Sequence, residues 1–415
     1  MLNKYFFINS VQSLKTSSLT GEYILWGLLI LFIPIYPAIF IFYLLVILSQ
    51  DQRHTYFVFF IILSILIILN INRSVDNDLE NYLSIFKFMN TSTLRGFFED
   101  SNQFIVSLKL SEAVWYGITW LISNLTNANE FIYIAFLTFV IYGIYFWGLK
   151  EIVEFMNENS QFYIMAILFG MLICINFSET THLIRQYICG SVLFLQFVWL
   201  FKKQYLKVFL AFIPALLIHN SLIVPFFIII ISYVLFFQKI INNKILRLFL
   251  IPVITGSVIG YAINIFVNQF NYETSVSSGG LFFSMSLDVA TYMLTLGFFL
   301  YSKNSRNINM LVEGYLIFFL MFVAFLFFLR SNMTLYLRFY LYLEWFRVLG
   351  LISLTALFPI FKRSSILFVV FFMFCFLFLQ LRILRAPWTY EIGFIKLMSL
   401  NIFQILKPIF NNITF

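Results

Sequence analysis

The chain has 415 residues, 62% of them hydrophobic and 11% charged, against roughly 25% charged in soluble globular domains. With 57 Phe residues, too few polar side chains remain to cover a water-soluble core, so the bilayer is the solvent for most of the surface. The net charge of +8 comes from Lys and Arg scattered between apolar runs, with no basic block or stripe, which excludes a nucleic-acid partner.

Runs near the ~20 residues needed to cross hydrocarbon fall at residues 23–48, 56–71, 131–149, 162–177, 183–201, 206–218, 222–237, 246–267, 285–301, 311–329, 335–360 and 367–383. This predicts an all-α, polytopic integral membrane protein with about twelve transmembrane helices. Residues 1–415 then form a single membrane domain. The first run holds Pro34 and Pro37 and reads as one kinked helix or two half-passes. The short pair around His219 reads as two crossings or as broken helices. The opening residues show no charged, apolar, small-residue progression, so the first span is expected to stay in the membrane.

Alternate short loops carry the basic residues: Arg53; Lys150; Lys202, Lys203 and Lys207; Lys239, Lys244 and Arg247; Lys303 and Arg306; Lys362 and Arg363. The positive-inside rule puts these in the cytoplasm and both termini outside. The long segments then lie on the outer side: a polar loop over residues 72–130 and a tail over 385–415. Within the loop, Val114, Ile118, Leu121 and Leu125 recur at helical spacing, predicting an amphipathic surface helix over 111–125. Cys174, Cys189 and Cys375 stand in apolar runs with no CxxC pair or His partner at metal spacing, and read as small hydrophobes.

Charge inside or beside a span is costly, so such residues need a reason. Glu179, His182, Arg185 and Gln186 open the fifth run, where three-residue spacing lets His182 and Arg185 face one cavity. His219 stands in Ile-His-Asn-Ser at an outer turn. Asp76 and Asp78 have the spacing of paired carboxylates that hold a divalent ion, though helix capping explains either of them equally well. Glu112 opens the amphipathic helix, where a carboxylate also suits the helix dipole. Arg330, Arg338 and Arg347 surround the eleventh run with Tyr336, Tyr340, Tyr342 and Glu344. Glu344 and Arg347, three apart, read as neutralising each other within the membrane, while Asp288 and Glu313 read as interfacial. No internal repeat is visible.

Four patches in this order resemble the EpsG-like family of Wzy-type polymerases that lengthen O-antigen, capsule or exopolysaccharide chains. They are Arg73 with Asp78-Leu-Glu-Asn-Tyr82, Glu112 with Trp115, His182-Leu-Ile-Arg185-Gln186, and Ile218-His219-Asn220-Ser221. The chain departs from the family pattern at Asn77, where a Gly is common nearby, at Ile184, where a Thr often precedes the Arg, and around Ile188 and Cys189, where an Ala is usual.

The resemblance implies a GT-C-like membrane glycosyltransferase. It would act at the outer face of a bacterial inner membrane, moving a growing glycan from undecaprenyl diphosphate onto a new lipid-linked repeat unit. The partners implied are the two undecaprenyl-diphosphate-linked oligosaccharides and the bilayer, with a chain-length regulator as a further one. The expected diphosphate ligands are Arg185, Arg338 and Arg73, since guanidinium binds phosphate through paired hydrogen bonds. His219, Glu112 and Asp78 are the candidates to accept the proton of the attacking hydroxyl. Gln186, His182, Tyr82, Trp115 and Tyr340 are expected to bind substrate. Tyr82, Trp115, Tyr116 and Trp120 suit stacking on sugars, or anchoring at the interface. No cofactor is expected, the Asp76–Asp78 pair being the one feature that would admit a cation. The alternatives are a lipid-linked oligosaccharide flippase, which would place charge deep in a central cavity, and an O-antigen-ligase-like transferase sharing the diphosphate-binding arginines.

Overall fold

The computed structural model describes residues 54–75, 77–93, 112–156, 180–237, 246–268, 279–301, 306–357 and 392–401, with 170, 174, 175, 243, 390 and 404. Regular structure among them is helical. In chain order the α-helices are α1 (His54–Ile71), α2 (Asn77–Thr91), α3 (Ala113–Leu125), α4 (Glu130–Met156), α5 (Ile184–Phe201), α6 (Tyr205–Leu216), α7 (Ile223–Phe237), α8 (Ile251–Asn268), α9 (Gly279–Tyr301), α10 (Arg306–Leu329), α11 (Met333–Glu344), α12 (Arg347–Leu357) and α13 (Phe394–Ser399). Among the described residues, five stretches are long and apolar enough to cross a membrane by length and composition: Glu130–Met156, Ile184–Phe201, Asn220–Phe237, Leu246–Ile265 and Asn307–Leu329. The expected spans at 23–48 and 367–383, and most of 162–177, lie outside the described residues.

The centre of the bundle is α5, buried along nearly its whole length. It packs against α4, α6, α7 and α11. A helix apolar on every side suits that position. Gly190, midway along α5, lets the Trp345 indole lie on its backbone: a Cβ there would stand 2.0 Å from Trp345 Nε1. On the other side of the bundle, α8 rides on the α10 backbone through Gly256 and Gly260, whose Cβ positions would fall 2.1 Å from Met321 O and 2.5 Å from Phe325 O. Small residues four apart permit that approach, which replaces the hydrophobic drive missing between helices in lipid.

The structure corrects the loop expectation at residues 72–130. Its first part is α2, whose Leu79, Leu83, Phe86 and Met89 are buried against the rest of the bundle. Three side chains of the next helix bind carbonyls at its C-terminal end: Ser123 Oγ to Phe86 O at 2.5 Å, Asn124 Nδ2 to Met89 O at 3.3 Å and Trp120 Nε1 to Ser92 O at 3.0 Å. Helix ends leave such carbonyls without intrahelical partners, so these bonds fix α3 against α2.

The amphipathic helix forms as α3, but its protein-facing residues are Trp115, Tyr116, Thr119, Ile122 and Ser123. Leu121 and Leu125 from the expected apolar stripe point away, Leu125 being 75% exposed. That leaves apolar side chains on two faces, one for the protein and one for lipid.

The expected span over 335–360 is broken. Its described part comprises α11 and α12, which meet at Trp345 and Phe346. At the break lies a buried ion cluster that corrects the interfacial placing of Asp288. Arg347 Nε donates to Asp288 Oδ1 at 2.8 Å, its Nη1 donates to Cys174 O at 3.0 Å, and its Nη2 donates to Tyr340 Oη at 2.6 Å and Ser284 Oγ at 2.5 Å. Glu344 Oε1 stands 3.2 Å from Arg347 Nη2, as its three-residue spacing suggests. Glu313 pairs with Arg247.

Candidate active site

The first turn of α5, the first residues of α3 and the turn between α6 and α7 converge on one carboxylate. Glu112, just before α3, is buried, its side chain 3% exposed. One of its oxygens accepts from Arg185 Nη1, and the other lies 2.8 Å from His219 Nδ1. Glu112 is the N-cap residue of α3, where its charge also suits the helix dipole, but its side chain makes no capping hydrogen bond. Its oxygens go to the ion pair instead.

Local structure holds each member in place. Arg185 and Cys189 are one turn apart on α5; while Arg185 reaches Glu112, Cys189 Sγ donates to Ala215 O at 3.2 Å. The same carbonyl accepts the His219 amide at 3.0 Å. His219 has extended backbone, φ −157° and ψ 116°, between the end of α6 and the single 3₁₀ turn Asn220–Leu222. Trp115 N donates to Leu217 O at 3.5 Å, tying the start of α3 to that turn.

These groups border a cavity of about 190 Å³. Its walls carry the Arg185, His219 and Gln186 side chains, the exposed Arg338, and Asp78, Asn81 and Tyr82 from α2. Trp115, Tyr116, Ile85 and Leu183 supply the apolar part of the lining. The Tyr82 hydroxyl accepts from Arg185 Nε at 3.3 Å, and its ring lies under the guanidinium at 5.5 Å. Trp115 meets Tyr82 edge to face at 5.6 Å. Gln186 Nε2 donates to the Arg338 carbonyl, which joins α5 to α11.

Burial pushes the His219 imidazole below the ordinary histidine value. The Arg185 and Arg338 charges push the same way and the Glu112 hydrogen bond opposes them. With Nδ1–H given to Glu112, Nε2 keeps its lone pair, the arrangement of a proton acceptor. Burial also raises the Tyr82 phenol, so it stays a neutral hydroxyl.

The expected site residues divide into three groups. Asp78, Tyr82, Trp115, Arg185, Gln186, His219 and Arg338 line the cavity, and Glu112 is bonded to two of them, Arg185 and His219. Arg73 and His182 pair with each other outside its lining, so His182 and Arg185 take different partners despite sharing a helix start. Tyr340 is fully buried, its hydroxyl given to Asp288 at 2.7 Å beside Arg347. Asp76 lies outside the described residues, and with it the expected carboxylate pair. Asn81 and Ile85 were not among the expected site residues, although each stands one helical turn from one that was, Asp78 and Tyr82.

The sequence matches the EpsG family over residues 54–399, a range that contains every residue of the cavity. The chain belongs to the EpsG family. That membership points to a membrane polysaccharide polymerase-like role for the chain. No curated protein matches the chain, and no solved structure does. Within this EpsG-family chain the cavity also brings together residues from all four of the patches in which the resemblance was read.

Proposed function

We propose that this EpsG-family chain is a polysaccharide polymerase that moves a growing glycan from a polyprenyl diphosphate onto a hydroxyl of a new lipid-linked repeat unit. The observation that carries the reading is the Arg185–Glu112–His219 arrangement at the cavity. It offers a fixed cation for a leaving diphosphate and a neutral imidazole for the incoming hydroxyl.

In the transfer, the acceptor hydroxyl oxygen forms a bond to the anomeric carbon of the donor glycan, and the bond from that carbon to the diphosphate breaks. The electron pair leaves with the diphosphate, and the hydroxyl proton passes to His219 Nε2. Negative charge grows on the departing phosphate oxygen. Arg185 and Arg338, whose guanidinium is exposed at the cavity wall, stabilise it in place of an acid. Asp78 is a reserve proton acceptor, and the Arg73–His182 pair a reserve anion contact. Tyr82, Trp115 and Tyr116 provide flat faces on which sugar rings stack.

Direction across the membrane follows from α5. Arg185 stands at one end and Lys202 at the other, about 26 Å apart at 1.5 Å per residue. Lys202 pairs with Glu151 of α4, and Lys150, Lys203 and Lys207 stand at the same ends of α4, α5 and α6. Positive loops face the cytoplasm, so the cavity opens to the exterior of a bacterial inner membrane, where undecaprenyl-diphosphate-linked units would be joined.

One observation favours the flippase reading: Asp288, Glu344 and Arg347 put charge deep inside the bundle. That cluster contributes no residue to the cavity lining, so the transferase reading stands ahead. Deleting the gene separates the two. A polymerase loss leaves single repeats capped on lipid outside, and a flippase loss traps lipid-linked units inside.

A further inference from the structure

More than a hundred residues beyond the turn at His219, α11 touches the site twice. The Arg338 carbonyl takes the Gln186 amide. One turn further along, the Tyr342 hydroxyl lies 2.8 Å from Ser221 Oγ. Tyr342 is fully buried. A buried hydroxyl costs stability unless it is bonded, and here its bond goes to the turn that carries His219.

The geometry of that turn shows what the bond does. His219 is held at its amide by Ala215 O and at its carbonyl by Leu222 N, 3.0 Å and 3.2 Å away. Neither bond fixes the direction of its side chain. The 3₁₀ turn Asn220–Leu222 has no side-chain cap, because His219, its N-cap residue, spends its imidazole on Glu112. Ser221 is the middle residue of this turn and its side chain is anchored to α11.

The base of α11 is fixed in turn. Tyr340 and Glu344 sit with Asp288 and Arg347 at the α11–α12 break, and Trp345 rests on Gly190 of α5. Tyr342 lies between these anchors. Its hydroxyl therefore projects from a rigid support onto a turn that lacks a cap of its own.

We propose that Tyr342 is a positioning residue which, through Ser221, holds the His219 imidazole on Glu112 and so keeps Nε2 free as the proton acceptor. The inference rests on the polymerase reading for its consequence in the reaction, but the placement of His219 is measured without that reaction. Charged groups around the imidazole come from three elements: Glu112 before α3, Arg185 on α5 and Arg338 on α11. Loosening the turn lets water replace Glu112 as the partner of Nδ1–H. Free imidazole in water then shifts toward the Nε2–H form, which has no lone pair on the nitrogen facing the substrate.

The test uses the full-length protein in lipid nanodiscs with ¹⁵N-labelled histidine. The chain has three histidines, and a His219→Ala variant assigns the signal. In the wild type, neutral His219 is expected as the Nδ1–H tautomer. In Tyr342→Phe and in Ser221→Ala, that tautomer is expected to lose ground to Nε2–H, and the double variant is expected to lose no more than either single one. Two variants on opposite sides of the bond guard against a fold defect in one of them. An unchanged tautomer in both single variants, or losses that add in the double variant, overturns the proposal. Chain elongation by the same variants should fall about tenfold, as for one hydrogen bond, again without addition. A tautomer shift in a protein that elongates nothing supports the positioning role and counts against the polymerase reading instead.

Discussion

Glu112 Oε1 lies 2.8 Å from His219 Nδ1 across 107 residues of sequence, and the proposed proton acceptor and its orienting group rest on this contact. The pair forms because α3 begins where the α6–α7 turn passes, with Trp115 N bonded to Leu217 O. Arg185 on the remaining carboxylate oxygen keeps the buried charge compensated.

The pH dependence of the reaction follows from His219. Burial holds its folded value below the ordinary ~6.5, so the neutral, proton-accepting form persists at mildly acidic pH. Elongation should stay near its plateau at pH 6.5 and fall only at lower pH, once the imidazole takes a proton. Linkage gives the same sign for stability: the unfolded chain binds the proton first, so this contribution is present above ~6.5 and is lost as pH falls through the folded value. A rate profile from pH 5 to 8 checks this, and a midpoint above 6.5 contradicts it.

Arg185→Ala and Arg185→Lys separate charge from geometry. Alanine leaves Glu112 buried with only His219, and elongation should drop on the order of 10²–10³-fold while the protein still inserts. Lysine restores the charge without the planar fork and should still lose at least about tenfold. Chain-length analysis of the glycan, with protein quantified in membranes, measures both.

The α11–α12 break predicts a stability effect distinct from catalysis. Asp288→Asn removes one of the two carboxylates paired with the buried Arg347 guanidinium and should lower the thermal midpoint in detergent. Replacing Asp288, Glu344 and Arg347 together with leucine removes all three buried charges and should recover part of that loss. If the cluster instead serves transport, Asp288→Asn would keep its stability and trap lipid-linked units inside.

Gly190→Ala tests the seat of Trp345. The added methyl meets the indole at a distance no packing tolerates, and overpacking of this kind costs about 1–3 kcal/mol. Because the shift moves α11, elongation should fall with the thermal midpoint, whereas Gly117→Ala, with open space around its Cβ, should change neither.

Much of the site was legible because charge is scarce in an apolar chain. Glu112, Arg185 and His219 stood out as ionisable residues beside apolar runs, and their order marked one outer surface. Their pairing was not legible, since Arg185 and Glu112 are 73 residues apart and neither shows by spacing that it meets the other. Arg73 and His182 looked like members of the same cavity and instead bind each other. Tyr340 sits one helical turn from Tyr336 and two residues from Arg338 but turns toward Asp288, a direction that depends on α9. The break at Trp345 carries no Pro or Gly; Trp345 sits on Gly190 of α5 and Arg347 bonds Asp288 of α9, partners contributed by other helices. The period of α2 was present in Leu79, Leu83, Phe86 and Met89 and was masked by its polar outer face.

The most direct measurement of the central claim reconstitutes the full-length protein in vesicles with polyprenyl-diphosphate-linked repeat units and follows glycan length and released polyprenyl diphosphate. The account predicts ladders of joined repeats with one polyprenyl diphosphate released per bond, abolished in His219→Ala and Arg185→Ala. Units that cross the bilayer without being joined, at a rate indifferent to both substitutions, would contradict it.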